Sequence, residues 1–206
     1  ILVVKPLSDL NDEKNTLFTQ GSIFLSDDSR ETINLGIGKR KLVNDDTLLL
    51  GANLFYDHEL DYDHQRASIG IDAISSVGSF RANQYYGLSG WQSGFGNIKE
   101  KALNGNDVEF GAPLPYLPWA NFYLRSFNWD GASGAADLKG DEMSLEAKFS
   151  GFNIEVGKRS NDGITEDNEF LRLTWTCCNN NQEKFEISDK AYNLTSVADQ
   201  RFVKVR

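Results

Sequence analysis

The feature that most restricts this chain is an alternation of apolar and polar residues that recurs along most of its length. Thr32–Lys39 sets Ile33, Leu35 and Ile37 against Thr32, Asn34 and Gly36. Arg66–Ala73 sets Ala67, Ile69, Ile71 and Ala73 against Arg66, Ser68, Gly70 and Asp72. Met143–Phe149 sets Met143, Leu145, Ala147 and Phe149 against Ser144, Glu146 and Lys148, and Phe152–Val156 and Leu171–Trp175 repeat the pattern. Successive side chains of a strand leave opposite faces of the pleat, so a period of two predicts strands with one apolar and one polar face.

About eleven strands are expected, at residues 1–7, 16–26, 30–39, 47–57, 65–75, 79–90, 105–112, 119–129, 142–149, 152–159 and 169–177. Most run to about 8–12 residues, longer than the soluble mode of about 5–6. A tilted strand needs about 9–11 to cross a bilayer. If each strand is antiparallel to the last, alternate connections fall at opposite ends. One set is short and includes Ser150-Gly151, and the other is longer, the asymmetry of outer-membrane barrels. The last strand then ends on the short-turn side, so the tail from Cys178 onward is expected to start in the periplasm. Ile187–Arg206 loses the alternation but carries Ala191, Leu194, Val197, Ala198 and Phe202 at helical spacing, with Ser188 or Asp189 as a cap. That spacing predicts a short helix.

Alternation alone does not separate a membrane barrel from a soluble β-sandwich, whose strands also have one buried and one hydrated face. Strand length and loop asymmetry favour the antiparallel transmembrane barrel. In a barrel the polar stripe lines the lumen, which would then hold Arg66, Asp72, Arg81, Asp107, Glu109, Arg125, Glu146, Lys148, Glu155 and Arg172. Both signs occur, so these side chains can pair across the lumen. A one-residue slip would turn them all outward, at about 2–4 kcal/mol for each Arg or Lys at mid-bilayer. Asp107 and Glu109 share a face and are read as salt-bridge partners, with Arg81 and Arg125 as their candidates, rather than as general acid and base. Tyr56, Trp91, Trp119, Trp129 and Trp175, with Tyr85, Tyr86 and Tyr116, lie near strand ends and are expected as interfacial aromatics.

A net charge of −9 argues against a nucleic-acid partner, which needs a basic face to displace counterions. Cys177 and Cys178 are adjacent, about 3.8 Å apart at Cα, too close for the usual disulfide span of about 4.4–6.8 Å. Asp57–His64 gathers acids and both histidines without any calcium-loop or His-x-x-x-His spacing, and is read as a hydrated loop. No Gly-x-Ser-x-Gly accompanies the histidines, so no catalytic residue, metal or cofactor is expected. No apolar run approaches the ~18 residues of a transmembrane helix. No signal peptide is visible and Ile1-Leu2-Val3-Val4 already reads as strand, so the sequence is read as a fragment with its targeting segment upstream.

Several segments resemble the β-domain of the intimin/invasin family, the inverse autotransporters. Thr32-Ile33-Asn34-Leu35-Gly36-Ile37-Gly38-Lys39-Arg40 resembles its T-x-N-L-G-x-G-x-R strand, and Leu50-Gly51-Ala52-Asn53-Leu54-Phe55-Tyr56-Asp57 its L-G-x-N-x-F-x-D. Arg66–Ile71, Leu88-Ser89-Gly90-Trp91, Ala102–Val108 and Leu114-Pro115-Tyr116-Leu117-Pro118 follow in the family's order. The resemblance implies a twelve-stranded barrel in a Gram-negative outer membrane, with residues 1–178 as barrel and the family's first strand missing upstream. A barrel short of one strand leaves open edges in lipid, so this fragment is expected not to insert and close well by itself. The resemblance also implies that residues 179–206 are a periplasmic and pore-crossing helix and linker toward a C-terminal adhesive passenger. Implied partners are outer-membrane lipid, the chain's own linker and passenger in the pore, the barrel-assembly machinery, and a host or surface receptor reached through the passenger. The competing functions are a porin-like pore, which would leave its lumen open, and a soluble carbohydrate-binding sandwich.

Overall fold

The computed structural model describes residues 1–25, 30–149, 152–162, 166–175 and 186–206. The strands are β1 (Leu2–Pro6), β2 (Asn15–Leu25), β3 (Glu31–Val43), β4 (Leu48–Glu59), β5 (His64–Ser75), β6 (Gly78–Gly87), β7 (Gln92–Ser93), β8 (Lys99–Glu100), β9 (Gly105–Leu114), β10 (Leu117–Trp129), β11 (Leu138–Phe149), β12 (Phe152–Asn161) and β13 (Asn168–Trp175). Eleven of them form one antiparallel sheet in chain order, and β7 and β8 make a separate small hairpin inside the connection from β6 to β9. Every neighbour in the sheet is therefore the next strand of it, as in an up-and-down meander.

The sheet is rolled. A single cavity of about 360 Å³ is lined by Leu2 of β1 and Arg172 of β13, with residues of β2 to β6 and β9 to β11 between them. Both ends of the sheet thus face one lumen. Among the described residues β1 and β13 do not pair with each other.

The side chains are arranged inside out relative to a soluble protein. Leu35, Leu54, Ile71, Phe110, Met143, Leu145 and Leu173 stand exposed on the convex face, Leu35 at 57% and Leu173 at 68%. Gln20, Arg40, Asn53, Asp72, Arg81, Glu109, Glu142, Glu146 and Glu155 are buried on the concave face, Arg40 at 1%. A water-soluble sandwich would hide the first set between two layers. A belt of this size left bare marks a lipid or partner surface, and a wet, paired lumen is where ionised groups are tolerated. The soluble-sandwich alternative therefore falls. No described helix is long and apolar enough to cross a membrane.

Some elements differ from expectation. β11 begins at Leu138 rather than at residue 142, because Gly140 and Asp141 pair with Asn161 and Ser160 of β12. β6 ends at Gly87, before Leu88 to Gly90. The expected Ser150-Gly151 turn lies outside the described residues. The largest departure is the tail, where Ile187–Arg206 does not form the predicted helix. Only Ala198–Phe202 makes a 3-10 turn. Its backbone groups bond to the barrel instead: Val197 N–H donates to Asp46 O (2.8 Å), Tyr116 N–H to Ala191 O (3.1 Å), and Ser188 N–H to Tyr116 O (2.9 Å). Of the apolar residues at helical spacing, Val197 is fully buried, in a cluster with Leu42, Leu49 and Ile74, while Leu194 is exposed.

A charged lumen occupied by the tail

The lumen is built layer by layer from alternate residues of each strand. On β3 the inward positions are Asn34, Gly36, Gly38 and Arg40, in step with the buried Gly38 and Arg40 and the exposed Leu35 and Ile37. Gly36 lies under the ring of Phe55, and Gly38 under the ring of Phe18, where a Cβ would collide with either ring. The two glycines are what allow bulky rings to point into a narrow lumen. Arg40 follows, with its guanidinium 4.9 Å from the Phe18 ring centroid.

Toward the rim that carries the connections 60–63 and 88–104, Arg66 Nη2 lies 2.8 Å from Asp57 Oδ2. The same guanidinium stacks on Tyr85 (4.9 Å) and Trp129 (5.1 Å). Asp107 accepts from Tyr85 Oη at 2.9 Å and from Arg125 at 2.5 Å. In the middle, Arg81 pairs with Glu109 (2.7 Å), Arg159 with Glu142 (2.7 Å), and Arg172 with Glu155 (2.5 Å). Toward the short-turn rim Arg40 pairs with Asp72 at 3.0 Å. These pairs join register neighbours such as Arg81↔Glu109 and Glu155↔Arg172, or residues one strand further on, as for Arg40 and Asp72.

The tail enters this lattice. Ser76 Oγ accepts from Thr195 N–H and donates to Asn193 O, both at 2.9 Å, at the β5–β6 turn. The chain then passes the β3–β4 turn at Val197 and rises inside. Arg40 Nη1 donates to Arg201 O (3.1 Å) and Val203 O (2.6 Å), and Val205 N–H donates to Gln20 Oε1 (2.9 Å). Arg206 meets Glu109 (3.3 Å), Glu146 (3.7 Å) and Glu155 (2.6 Å), and its guanidinium lies 3.9 Å from the Tyr123 ring centroid. Tyr123 in turn donates to Glu146 at 2.9 Å.

Of the residues expected in the lumen, Asp72, Arg81, Asp107, Glu109, Glu146 and Glu155 are buried there. Arg66, Arg125 and Arg172 are more open but each holds a carboxylate. Lys148 is half-buried and forms no ion pair among the described residues. Of the expected interfacial aromatics, Tyr56, Trp91 and Trp175 are exposed. Trp119 is half-buried beside the β9–β10 turn. Trp129 departs from expectation. It shares the inward phase of Tyr123, Arg125 and Phe127 on β10 and stacks on Tyr85 at 5.0 Å, because Arg66 offers its face a cation. Arg40, Glu142, Arg159 and Arg206 also take part in the lumen's ion pairs and are not among the residues expected there. The first three continue inward stripes already visible in the sequence, whereas nothing local marks Arg206. The acids and histidines of 57–64 are taken up by neighbours, Asp57 by Arg66 and His58 by Asp63 (2.7 Å), and no group of three or more potential ligands stands together among the described residues.

An inside-out, rolled antiparallel sheet with a paired ionic lumen defines an outer-membrane β-barrel. Over residues 3–201 the sequence matches the family "Inverse autotransporter, beta-domain", and the chain belongs to that family. It is 34% identical over 106 residues to an attaching and effacing protein homolog of Escherichia coli K12, covering 50% of this chain and 35% of that protein. It is 32% identical over 93 residues to invasin of Yersinia enterocolitica (44% of this chain, 11% of invasin). It is also 32% identical over 107 residues to the inverse autotransporter adhesin YeeJ of Escherichia coli K12 (50% and 4%). The matched stretch thus spans about a third or less of these relatives. A solved chain from work on the in-meso crystallization of membrane proteins shares the fold, with a TM-score of 0.82 and 22% identity, over 100% of this chain and 88% of that one. The family is the outer-membrane translocator and anchor domain of intimin- and invasin-like adhesins of Gram-negative bacteria, and it is not known as enzymatic.

Proposed function

We propose that this domain threads its own C-terminal continuation through the barrel and holds it there, so that a passenger beyond Arg206 stands outside the cell. The short-turn rim is periplasmic in this reading, and residues 179–206 cross from that rim into the pore. The observation that carries it is the seat of Arg206. Glu146 of β11 and Glu155 of β12 are directly opposed in register. Two carboxylates so placed repel each other. Arg206 lies against both, with Glu109 of β9 on its other side and the Tyr123 ring beneath it. A guanidinium offers five donors in a fixed plane, and here it binds acids of three strands at once. An open diffusion pore has no use for such a seat.

The belt of Leu, Ile and Phe contacts outer-membrane lipid, insertion requires the cell's barrel-assembly machinery, and any receptor is met by the passenger. Two measurements test the reading. A protease-sensitive reporter fused after Arg206 is expected on the cell surface, cleaved by protease added to intact cells. Deleting residues 187–206 is expected to turn a silent barrel into a conducting channel in planar bilayers. A reporter retained in the periplasm refutes it, as does a conductance that stays indifferent to the deletion when the 88–104 connection is also shortened.

A further inference from the structure

The connection from β6 to β9 is not a simple loop. Its stem is fixed to β5, with Leu88 N–H donating to Gln65 O at 2.9 Å and Gln65 N–H to Ser89 Oγ at 3.1 Å. It then forms the β7–β8 hairpin, with Gln92 opposite Glu100 and Ser93 opposite Lys99, closed by Gly94 N–H to Ile98 O at 2.7 Å. Glu100 leaves this hairpin and reaches Arg30, at the start of β3, with both oxygens, at 2.6 and 3.0 Å. Strands β4 and β5 stand between β6 and β3. At about 4.8 Å per strand the reach is roughly 14 Å across the rim.

Where that reach ends decides its meaning. Arg30, Glu59 and His64 occupy the inward phase of β3, β4 and β5, two residues beyond Thr32, Asp57 and Arg66. Glu59 and His64 are register partners. His64 Nε2 lies 3.4 Å from Glu100 and 4.0 Å from Glu59, Arg30 lies 3.9 Å from Glu59, and the Arg30 guanidinium covers the Tyr62 ring at 4.9 Å. Glu100 is therefore bound by residues that line the top of the lumen, not by the outer rim. Below them lies the cavity lined by Asn34, Asn53, Asp57, Arg66 and Ser68.

We propose that the β7–β8 hairpin is a lid on the long-loop mouth of the lumen, held shut by the two hydrogen bonds of Arg30 to Glu100. It rests on the proposed function only for the side of the membrane the mouth faces. The lid limits entry of solutes from outside while leaving the mouth able to open for a linker. A bidentate, charge-assisted pair suits that task, because it is strong when formed and is lost as a unit when the hairpin lifts.

The test uses the full-length protein in the outer membrane, with Cys177→Ser and Cys178→Ser as background and Ser68→Cys as a lumenal reporter. A membrane-impermeant maleimide is added to intact cells and, separately, to permeabilised cells. Glu100→Gln is expected to raise the labelling rate about tenfold, and the swap Arg30→Glu with Glu100→Arg to return it to about the parent rate. Trypsin cleavage at Lys99 and Lys101 is expected to follow the same order, and Arg30→Lys, which keeps the charge but loses the fork, to fall between. Heat-modifiable mobility confirms that each variant is folded; should Glu100→Gln fail to fold, Arg30→Lys decides. Equal labelling of parent and variant in both preparations overturns the lid. A tenfold ratio seen only after permeabilisation keeps the lid and refutes the assigned orientation.

Discussion

Replacing Arg40 with Met removes a buried charge while keeping most of the aliphatic volume, and the structure sets what is lost. Arg40 is 1% exposed, pairs with Asp72, and donates to the carbonyls of Arg201 and Val203 in the tail. Breaking a buried pair from one side costs about 3–5 kcal/mol, so Arg40→Met is expected near 4 kcal/mol. Asp72→Asn keeps both carbonyl bonds and an acceptor for the guanidinium, and is expected near 1.5 kcal/mol. The double variant leaves no orphaned carboxylate and loses only the tail bonds and one neutralised contact, about 3 kcal/mol. The resulting coupling is about 2.5 kcal/mol, and the double variant is more stable than Arg40→Met alone. Urea unfolding of the protein refolded into vesicles, followed by tryptophan fluorescence, measures all four corners. Trypsin cleavage after Arg201 and Lys204 supplies an independent readout. It is expected to accelerate in both variants that lack Arg40 and not in Asp72→Asn. Additivity within about 0.5 kcal/mol, or equal cleavage in all four proteins, refutes the placement of Arg40 between barrel and tail.

Leu54→Arg on the convex face is expected to cost about 2–4 kcal/mol of unfolding free energy in a bilayer, whereas Ser68→Arg in the lumen costs less than half as much. Gly38→Leu drives a side chain into the Phe18 ring and is expected to destabilise by about 1–3 kcal/mol, with Phe18→Ala in the same protein recovering part of it. The pH dependence of the lid has a definite sign. A hydrogen bond from Arg30 comes first, with His64 adding, in holding the Glu100 carboxyl below its ordinary 4.5, and Glu59 faces the same group as a second acid. A depressed carboxylate contributes stability that is complete above its unfolded value and is lost as pH falls through the folded one. Hydrogen exchange at the Gly94 amide, corrected for intrinsic rate, is therefore expected to be slow and flat from pH 7 to about 5 and to accelerate below about 4.5. Acceleration above pH 6 instead would refute the assignment to Glu100.

Most of the sheet was legible because membrane strands state their two faces in the simplest code, one residue in and the next out. The charged stripes of β5, β9 and β11 are visible in the sequence itself, since lumen and lipid demand opposite residue types. Two kinds of information were not local. The start of β11 was hidden by Gly140 and Asp141, whose pairing with β12 overrides their turn preference. The tail's apolar spacing suggested a helix, yet Thr195, Val197 and Val205 find hydrogen-bond partners on Ser76, Asp46 and Gln20. Those partners exist only once the barrel is rolled. Trp129 departs from its expected interface for a related reason: an aromatic near a strand end suits an interface, but the phase of β10 turns it inward onto Arg66 and Tyr85.

The charge pattern of the lumen says why barrel and tail belong to one folding unit. Glu109 has Arg81 and Glu155 has Arg172, both from strands. Glu146 is paired with no strand cation among the described residues, and Arg206 is the group that supplies one. It also sits directly opposite Glu155. Without the tail, Glu146 is a buried carboxylate facing another; with the tail, the same residue is part of a clamp. Glu146→Gln should therefore change sign. In the intact chain it loses attraction to Arg206 but keeps an acceptor for Tyr123, and is expected to destabilise by about 1 kcal/mol. In the chain lacking residues 187–206 it removes the opposed charge and is expected to stabilise by about 1 kcal/mol. Urea midpoints of the four proteins decide the matter: if Glu146→Gln shifts both backgrounds in the same direction, the lumen is not short of a cation and the tail is a passive occupant.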